Sequence, residues 1–436
     1  MQRTDDAPLE HTPDLDRTAD EGESRRAKET RRALRAEARG TDVRRPRVVI
    51  VQRVIRQYRI PFLDRLRDEL DHRGVALTVM HNTPDRDDDH RKDVAAPDWA
   101  QRLDARMVGV GRRRLLWQSP PSALWKADLV VVEQATQLLL NYLLLLRRHA
   151  GGPLVGFWGH GTSHYRDAHR SGEAVKRWVS GQPDWWFAYT DGVADRVSAF
   201  GFPRDRITSV RNATDTSALA AAVKGVSEEE VARLRRELGV GPGPVGLFVG
   251  ALVPEKKLEF LVQAGEAIRN TVPEFELVIA GDGAMRGWVI EQAADRPWLH
   301  DAGQRFGREL AALLRVSSFL LVPAWVGLVV TDSFAAGRPL VASRSEAHPP
   351  EIEYIEHGRN GLLIDDGGDP RRYAAGVVAA LEEPGLLGRL QRGSLADAER
   401  YGVEDMAGRF ADGIECALAS GRRPSFQRPR WSSPRT

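Results

Sequence analysis

The sequence predicts an α/β protein built of two Rossmann-like domains, and three observations carry that reading. Short apolar strand segments alternate with amphipathic helical ones along most of the chain, the pattern of parallel sheets covered by helices. The cycle restarts at Val245 after the stretch GPGP at 241–244, whose composition breaks regular structure and marks a linker. The 436 residues exceed one ordinary domain, so two domains of roughly 170 to 200 residues plus tails are expected.

Composition narrows the class. A hydrophobic content of 42% supplies sizeable cores, and 63 basic against 61 acidic residues leave a net charge of +2, which gives no argument for nucleic acid. The single Cys416 excludes an internal disulfide framework and fits a reducing compartment. The N-terminus is polar and charged, without the apolar stretch of a secretory signal. The longest apolar run, LLLNYLLLL at 138–146, is about half of a bilayer span and reads as a core helix. A cytoplasmic protein is expected.

Each element follows from its local pattern. Residues 1–46 hold 22 charged residues and five large apolar ones, too little apolar surface for a core, and are read as a disordered charged tail. RVVIVQ, Arg47–Gln52, is the first strand; a helix over 61–73 and a strand from Val75 follow. Further strands are expected at 128–133, 153–156, 185–189 and 207–210, with helices at 136–149, 172–181 and 191–200. In the second series, strands at 245–250, 275–281 and 319–322 alternate with helices at 258–270 and 309–316. The domains are therefore expected at 47–215 and 242–400. A final helix at 401–420 crosses back to the first domain, and 421–436, rich in Arg, Ser and Pro, is a flexible tail.

The most informative stretch is PAWVGLVVTDSFAAGRPLVAS at 323–343. A strand ends at Val322, a turn containing Gly327 opens a helix, Gly337-Arg338-Pro339 stops it, and LVAS returns as a strand. Such a junction aims backbone N–H groups at a crevice, which suits a phosphate. GALVPEKKLEFL at 250–261 is a second junction of this kind and adds a cation, Lys256; a loop lysine of this sort is otherwise solvated. In IAGDGAMR at 279–286, Gly281 and Gly283 permit a tight turn and close backbone approach. FWGHGTSHYR at 157–166 sets His160 between two glycines after a strand, suited to a substrate hydroxyl or to a capping or packing role. IRQYRIPFLDRL at 55–66 puts Arg56, Tyr58 and Arg59 at the end of the first strand. No Asp-x-Asp ends a strand and no His/Cys cluster appears, so no metal is expected. The acidic run at 85–89 reads as a solvated loop.

These motifs, in this order, resemble those of the retaining family 4 glycosyltransferases over about residues 47–420. The chain is identified as a divergent member. The resemblance implies the GT-B fold: two Rossmann-like domains facing a central cleft, the first on the acceptor side, the second holding a nucleotide-diphosphate sugar. Gly250 to Lys256 is similar to the family's Gly-Arg-Leu-x-x-Glu-Lys-Gly, with Ala251 at the Arg position. Gly281 and Gly283 fall on its Gly-x-Gly, and Phe306-Gly307 on the segment that recognises the base. Gly327 and Leu328 match the Gly-Leu whose amides approach the leaving phosphate. Asp332 falls on the second Glu of Glu-x7-Glu, the ribose contact, and Ala324 on the first, which faces the donor sugar. As a bare pattern, Asp332 also reads as a helix-surface charge.

SEAHPPEIEYIEHGRNGLLI at 345–364 is similar to the family's Gly-Gly-x-Pro-Glu followed by Gly-x-Asn-Gly, with Ala347 and His348 on the paired glycines. The resemblance assigns His348, Glu351 and Glu353 to the sugar side in place of the missing contacts. Tyr58 and Arg59 fall on the family's opening Tyr-Arg-x-Pro-Phe, with Arg56 just before it, His160 on its cleft His, and Asn212-Ala213-Thr214-Asp215 on its hinge. Arg338 and Arg344, or an Arg of the first domain, are the candidates to compensate for Ala251.

The implied function is transfer of a hexose-type sugar from a UDP- or GDP-sugar to a hydroxyl acceptor with retention, in glycan, glycolipid or cell-envelope polysaccharide synthesis. His160, Lys256 and Glu351 are the implied catalytic set, and His160 with Arg56, Tyr58 and Arg59 the acceptor side. The nucleotide-sugar is a substrate, and no cofactor is expected. The alternative is a degenerate, nucleotide-binding partner of an active glycosyltransferase. GRRRLLWQSPPSALW at 111–125 mixes Arg with Leu and Trp, as interfacial segments do, and suggests peripheral contact with the inner membrane face.

Overall fold

The computed structural model describes residues 44–83, 94–110, 113–161 and 178–422. The charged tail at 1–43, the acidic run at 85–89, most of the helix expected at 172–181 and the C-terminal tail from 423 lie outside the described residues.

Two parallel sheets organise the chain. The first has seven strands in the spatial order Ile207–Ser209, Trp185–Ala188, Leu154–Gly159, Leu129–Glu133, Arg47–Gln52, Ala76–Asn82 and Gln101–Leu103. The second has six: Leu299–Asp301, Glu276–Ala280, Val245–Val249, Phe319–Leu321, Leu340–Ser343 and Gly361–Ile364. Each sheet begins in its middle, winds to one edge, then returns and winds to the other. Strand order reverses between Arg47–Gln52 and Leu129–Glu133 in the first sheet, and between Val245–Val249 and Phe319–Leu321 in the second. A crevice opens outside the carboxyl ends of the strands at such a point, where loops diverge to opposite faces. Both sheets thus have the doubly wound order of Rossmann-like domains, as the sequence predicts.

The strands are continuous apolar runs because both faces are covered. On the first sheet, Val48 and Ile50 point into one core and Val49 and Val51 into another. The last helix, Val403–Ser420, seals the first of these. Its Phe410 stacks on Phe187, with ring centroids 4.3 Å apart, and meets Trp158 at 5.1 Å and Phe62 at 5.5 Å. The last described helix thus packs into the core that the strand Arg47–Gln52 opens.

Helices absent from the sequence reading occupy 216–238. Thr216–Gly225 and Glu228–Leu238 precede the second sheet, yet Val223, Val226 and Val240 belong to its core. The GPGP turn therefore lies inside the second core's territory. The segment at 111–125 is another difference: Arg113–Gln118 pairs antiparallel with Ala105–Val110 as a hairpin, followed by the short helix Ser122–Trp125. Among the described residues, no helix is long and apolar enough to cross a membrane.

Candidate active site

Two clusters form at the two points where strand order reverses. The first is built by the loops after Val249 and Leu321. Lys256 folds back over Gly250 and donates from Nζ to the Trp325 carbonyl at 2.5 Å. Burial pushes its ammonium down to a pKa of about 8. Trp325 holds a positive φ of 53°, which a bulky residue rarely adopts, and its N–H donates to the Ala347 carbonyl at 3.0 Å. The next N–H, of Val326, donates to His348 Nδ1 at 3.2 Å, while His348 Nε2 donates to the Ser343 carbonyl at 2.7 Å. Burial lowers the His348 pKa, so the neutral ring with its proton on Nε2 is the form this geometry holds. Both nitrogens order the loop, and neither is directed to a ligand.

The helix Val329–Ala336 starts just beyond, with Leu328 as its N-cap and Gly337 at φ 59° as its C-cap. A Cβ on Gly327 would meet no atom within 4 Å, so this turn faces open space. Ala324 is buried and apolar. Gly281 and Gly283 are required by close loop packing. A Cβ on Gly281 would fall 1.9 Å from the Gly250 carbonyl oxygen, and one on Gly283 2.6 Å from that of Leu252. The two glycines let one strand-end loop nest against its neighbour. Phe306, 63% exposed, caps the helix Gly307–Val316, and Gly307 takes φ 52°. Arg338 is turned away, donating to the Leu314 and Arg315 carbonyls at the end of that helix. This removes it from the candidates to replace a cation at Ala251.

The second cluster joins the domains. Arg59 is 5% exposed, its guanidinium 4.8 Å from the Trp158 ring, 5.2 Å from Tyr58 and 5.8 Å from Tyr189. It does not lie open over the cleft; its Nη1 donates to Asn212 Oδ1 at 2.6 Å. Asn212 Nδ2 donates to Glu351 Oε1 at 2.6 Å, and Glu351 is 3% exposed. Burial raises the Glu351 pKa, which Asn212 and Arg59 oppose. Glu353 accepts from the Gly192 N–H at 2.8 Å, at the start of the first-domain helix Asp191–Ala199. A Cβ at Gly192 would come within 2.3 Å of Glu353 Oε2 and would displace that carboxylate. Glu353 thus docks on the other domain. Tyr354, stacked on Tyr401 at 4.0 Å, donates to the Asn212 carbonyl at 3.2 Å.

His160 packs against Tyr189 with ring centroids 4.2 Å apart. The turn behind it is fixed by Gln134, which accepts from the Gly161 N–H at 3.0 Å and donates to its carbonyl at 3.1 Å. Arg59 and His160 therefore share one aromatic wall. Arg56, at the end of the short strand Ile55–Arg56, is half-buried, and Tyr58 is 40% exposed. Asp332, in the first turn of its helix, accepts from Thr214 Oγ1 at 3.0 Å, and Thr214 also meets Thr331 Oγ1 at 2.7 Å. Sequence reasoning flagged Asn212 to Asp215 only as a hinge; it missed that Asn212 and Thr214 hold Glu351 and Asp332. Gln134, Tyr189 and Trp325 carry no signal that one sequence displays. Among the described residues, no group of three His, Cys, Asp or Glu side chains is placed to hold a metal ion.

Comparison with known proteins agrees with this architecture. Residues 62–218 match the family model for Glycosyltransferase Family 4, and residues 243–383 that for Glycosyl transferases group 1. The chain belongs to the family 4 glycosyltransferases. A D-inositol 3-phosphate glycosyltransferase of Acidothermus cellulolyticus is 32% identical over 53% of this chain and 53% of its own. A glycogen synthase of Mycobacterium tuberculosis is 28% identical over 67% of this chain and 69% of its own. The chain spans about half the length of the first curated relatives it matches. Among solved structures, HepE of Anabaena in complex with UDP and glucose superposes with a TM-score of 0.60 at 15% identity, covering 85% of this chain and 99% of that one. Sucrose-phosphate synthase of Thermosynechococcus elongatus gives 0.61 at 14%, covering 86% and 100%.

Asp332 generates a prediction of its own. Burial raises its carboxyl from 3.8 to about 6, against the opposing Thr214 hydrogen bond. The folded chain then holds this proton more tightly than the unfolded one. Its stabilising share is complete below about pH 4, and is lost as pH rises through 6. Asp332→Asn should therefore flatten the thermal stability curve of the protein between pH 4 and 6, measured by melting at half-unit steps; an unchanged slope there would show that Asp332 titrates normally.

Proposed function

We propose that this chain is a glycosyltransferase that moves a hexose-type sugar from a nucleotide-diphosphate sugar, UDP or GDP, to a hydroxyl acceptor with retention and without a divalent ion. The observation that carries the reading is the meeting of Lys256 with the turn at Trp325 to Leu328, where strand order reverses in the second sheet. A half-buried ammonium and the amino end of a helix converge there, and both favour an anion. A diphosphate arriving at this point offers Lys256 a charged acceptor in exchange for a carbonyl. The same contacts grow stronger as charge develops on the departing diphosphate, which is what accelerates its loss.

In this reading Asp332 meets the ribose, and exchanges Thr214 for it or shares it. Phe306 offers an exposed aromatic face for the base. Glu351 lies on the sugar side and His160 on the acceptor side. Ala324 leaves the donor sugar without the carboxylate that family members present. Supporting facts are the two family matches and the neighbours named for UDP and glucose. A role in glycan, glycolipid or cell-envelope polysaccharide synthesis, inside the cell, belongs to the same proposal. So does contact between the hairpin Ala105–Val110/Arg113–Gln118 and anionic lipid; vesicle co-sedimentation unaffected by Arg114→Glu would remove that part.

A second reading is favoured by a specific observation. Ala251 and Ala324 remove a cation and a carboxylate, and Arg338 points elsewhere. A protein so altered can bind nucleotide and serve an active partner without turnover. Losing one charge-assisted contact costs about 1.5 to 3 kcal/mol, or roughly ten- to a hundredfold in rate. This slows an enzyme without silencing it.

One experiment separates these readings. Purified protein is incubated with UDP- and GDP-sugars, and free nucleotide release is followed by a sensitive coupled assay. Slow release that Lys256→Met reduces by about tenfold or more is expected. Because the lysine must be charged, nucleotide affinity should also weaken as pH rises through about 8. Binding with no release, under any acceptor mixture, would assign the chain to the partner class.

A further inference from the structure

Asn212 stands where the domains join and uses every hydrogen-bonding group it owns. Its N–H donates to the Tyr189 carbonyl at 2.7 Å, and its carbonyl accepts from the Tyr354 hydroxyl at 3.2 Å. Its side-chain oxygen accepts from Arg59 Nη1 at 2.6 Å, and its side-chain nitrogen donates to Glu351 Oε1 at 2.6 Å. The residue is 2% exposed. Its partners come from both domains: the first supplies Arg59 and Tyr189, the second Glu351 and Tyr354, and Asn212 itself lies in the connection between them.

We propose that Asn212 is the positioning residue for Glu351. Its amide relays the Arg59 guanidinium to the carboxylate, and so fixes that carboxylate and the whole Pro350–Tyr354 turn relative to the cleft. This rests on the reading of the cleft as a sugar-transfer site. A primary amide of this length accepts on one end and donates on the other, which neither a carboxylate nor a hydrocarbon does. Arg59 cannot reposition without losing its aromatic enclosure by Trp158, Tyr58 and Tyr189. Glu351 cannot lose its donor without leaving a buried acceptor unmade. Rotation of one domain against the other therefore acts on Glu351 through Asn212.

The relay has a distinctive response to proton concentration. Titratable groups facing it are Arg59, Tyr58, Tyr189, Glu133 and Asp191 from the first domain and Tyr354, Glu353 and Tyr401 from the second; the last helix brings Met406 against Arg59 and the Ala213 N–H. Asn212→Asp preserves size and still accepts from Arg59, but confronts Glu351 with a second carboxylate. The pair is bridged only while it shares a proton. Such a shared proton is held more tightly folded than unfolded, so the stabilisation is present at low pH and lost as pH rises.

The test uses the full chain without ligand first. Asn212→Asp should melt within about 1 °C of wild type at pH 5 and roughly 5 °C below it at pH 8. The reversed pair, Asn212→Asp with Glu351→Gln, restores a donor facing an acceptor and should abolish the deficit at pH 8. Donor turnover by Asn212→Asp should fall about tenfold at pH 8 and return toward wild type at pH 5, in kcat rather than KM. A deficit equal at both pH values, or one the reversed pair leaves in place, overturns the proposal. If Asn212→Asp alone does not fold, folding of the reversed pair supports the relay and failure of both overturns it. Should wild type turn over no donor while the reversed pair rescues melting, the relay stands and the sugar-transfer reading falls.

Discussion

A carboxylate buried between two domains must be given a partner, and the structure is arranged around that requirement at Glu351. The residue sits at the junction of both sheets, on the turn Pro350–Tyr354, with Asn212 and then Arg59 behind it. Leaving one such group unpaired would cost several kcal/mol. The aromatic wall of Trp158 and Tyr189 is in turn held by Phe62 and Phe410. Phe410 belongs to the helix Val403–Ser420, so the last described helix supports the pairing made at Glu351. Fixing Glu351 thereby fixes the relative placement of the loops around the cleft.

The positions that depart from the family pattern follow from this packing. His348 stands where a glycine is usual and serves as a backbone clamp, its two nitrogens joining the Val326 N–H to the Ser343 carbonyl. That clamp supports the strained Trp325, whose carbonyl receives Lys256. Ala347 contributes its carbonyl to the same turn. The substitutions at 324, 347 and 348 therefore form one rebuilt loop rather than separate losses. Strain at a binding loop persists only where the surroundings over-determine it, and here three backbone contacts do so.

The fold was legible because its signals are local. Apolar runs such as RVVIVQ and the glycine-punctuated strand ends give a parallel α/β alternation without reference to anything distant. Helices at 216–238 escaped because their sequence, TSALAAAVKG then EEEVARLRREL, sits where a domain connection was expected, and only packing shows which core they join. At the candidate site, Lys256 and Gly327 stand out from their place after strands, and Asp332 from the family resemblance alone. The partners Asn212, Thr214 and Trp325 were not, since each acts through a contact more than 60 residues away in sequence. Arg59 and Glu353 are instructive in the same way. Both read as cleft-facing charges, yet Arg59 is committed to Asn212 in the interdomain connection and Glu353 to Gly192 of the other domain, and long-range pairing of this kind leaves no periodicity to read.

The central claim is that a diphosphate is received between Lys256 and the turn at Gly327 and Leu328. The most direct measurement is a crystal structure of the protein grown with saturating UDP or GDP. The account predicts a β-phosphate oxygen within about 3 Å of Lys256 Nζ, with the Trp325 carbonyl relinquished and the turn at Gly327 lying against the phosphate. Phosphates bound elsewhere, or an empty cleft with Lys256 still on the Trp325 carbonyl, would contradict it.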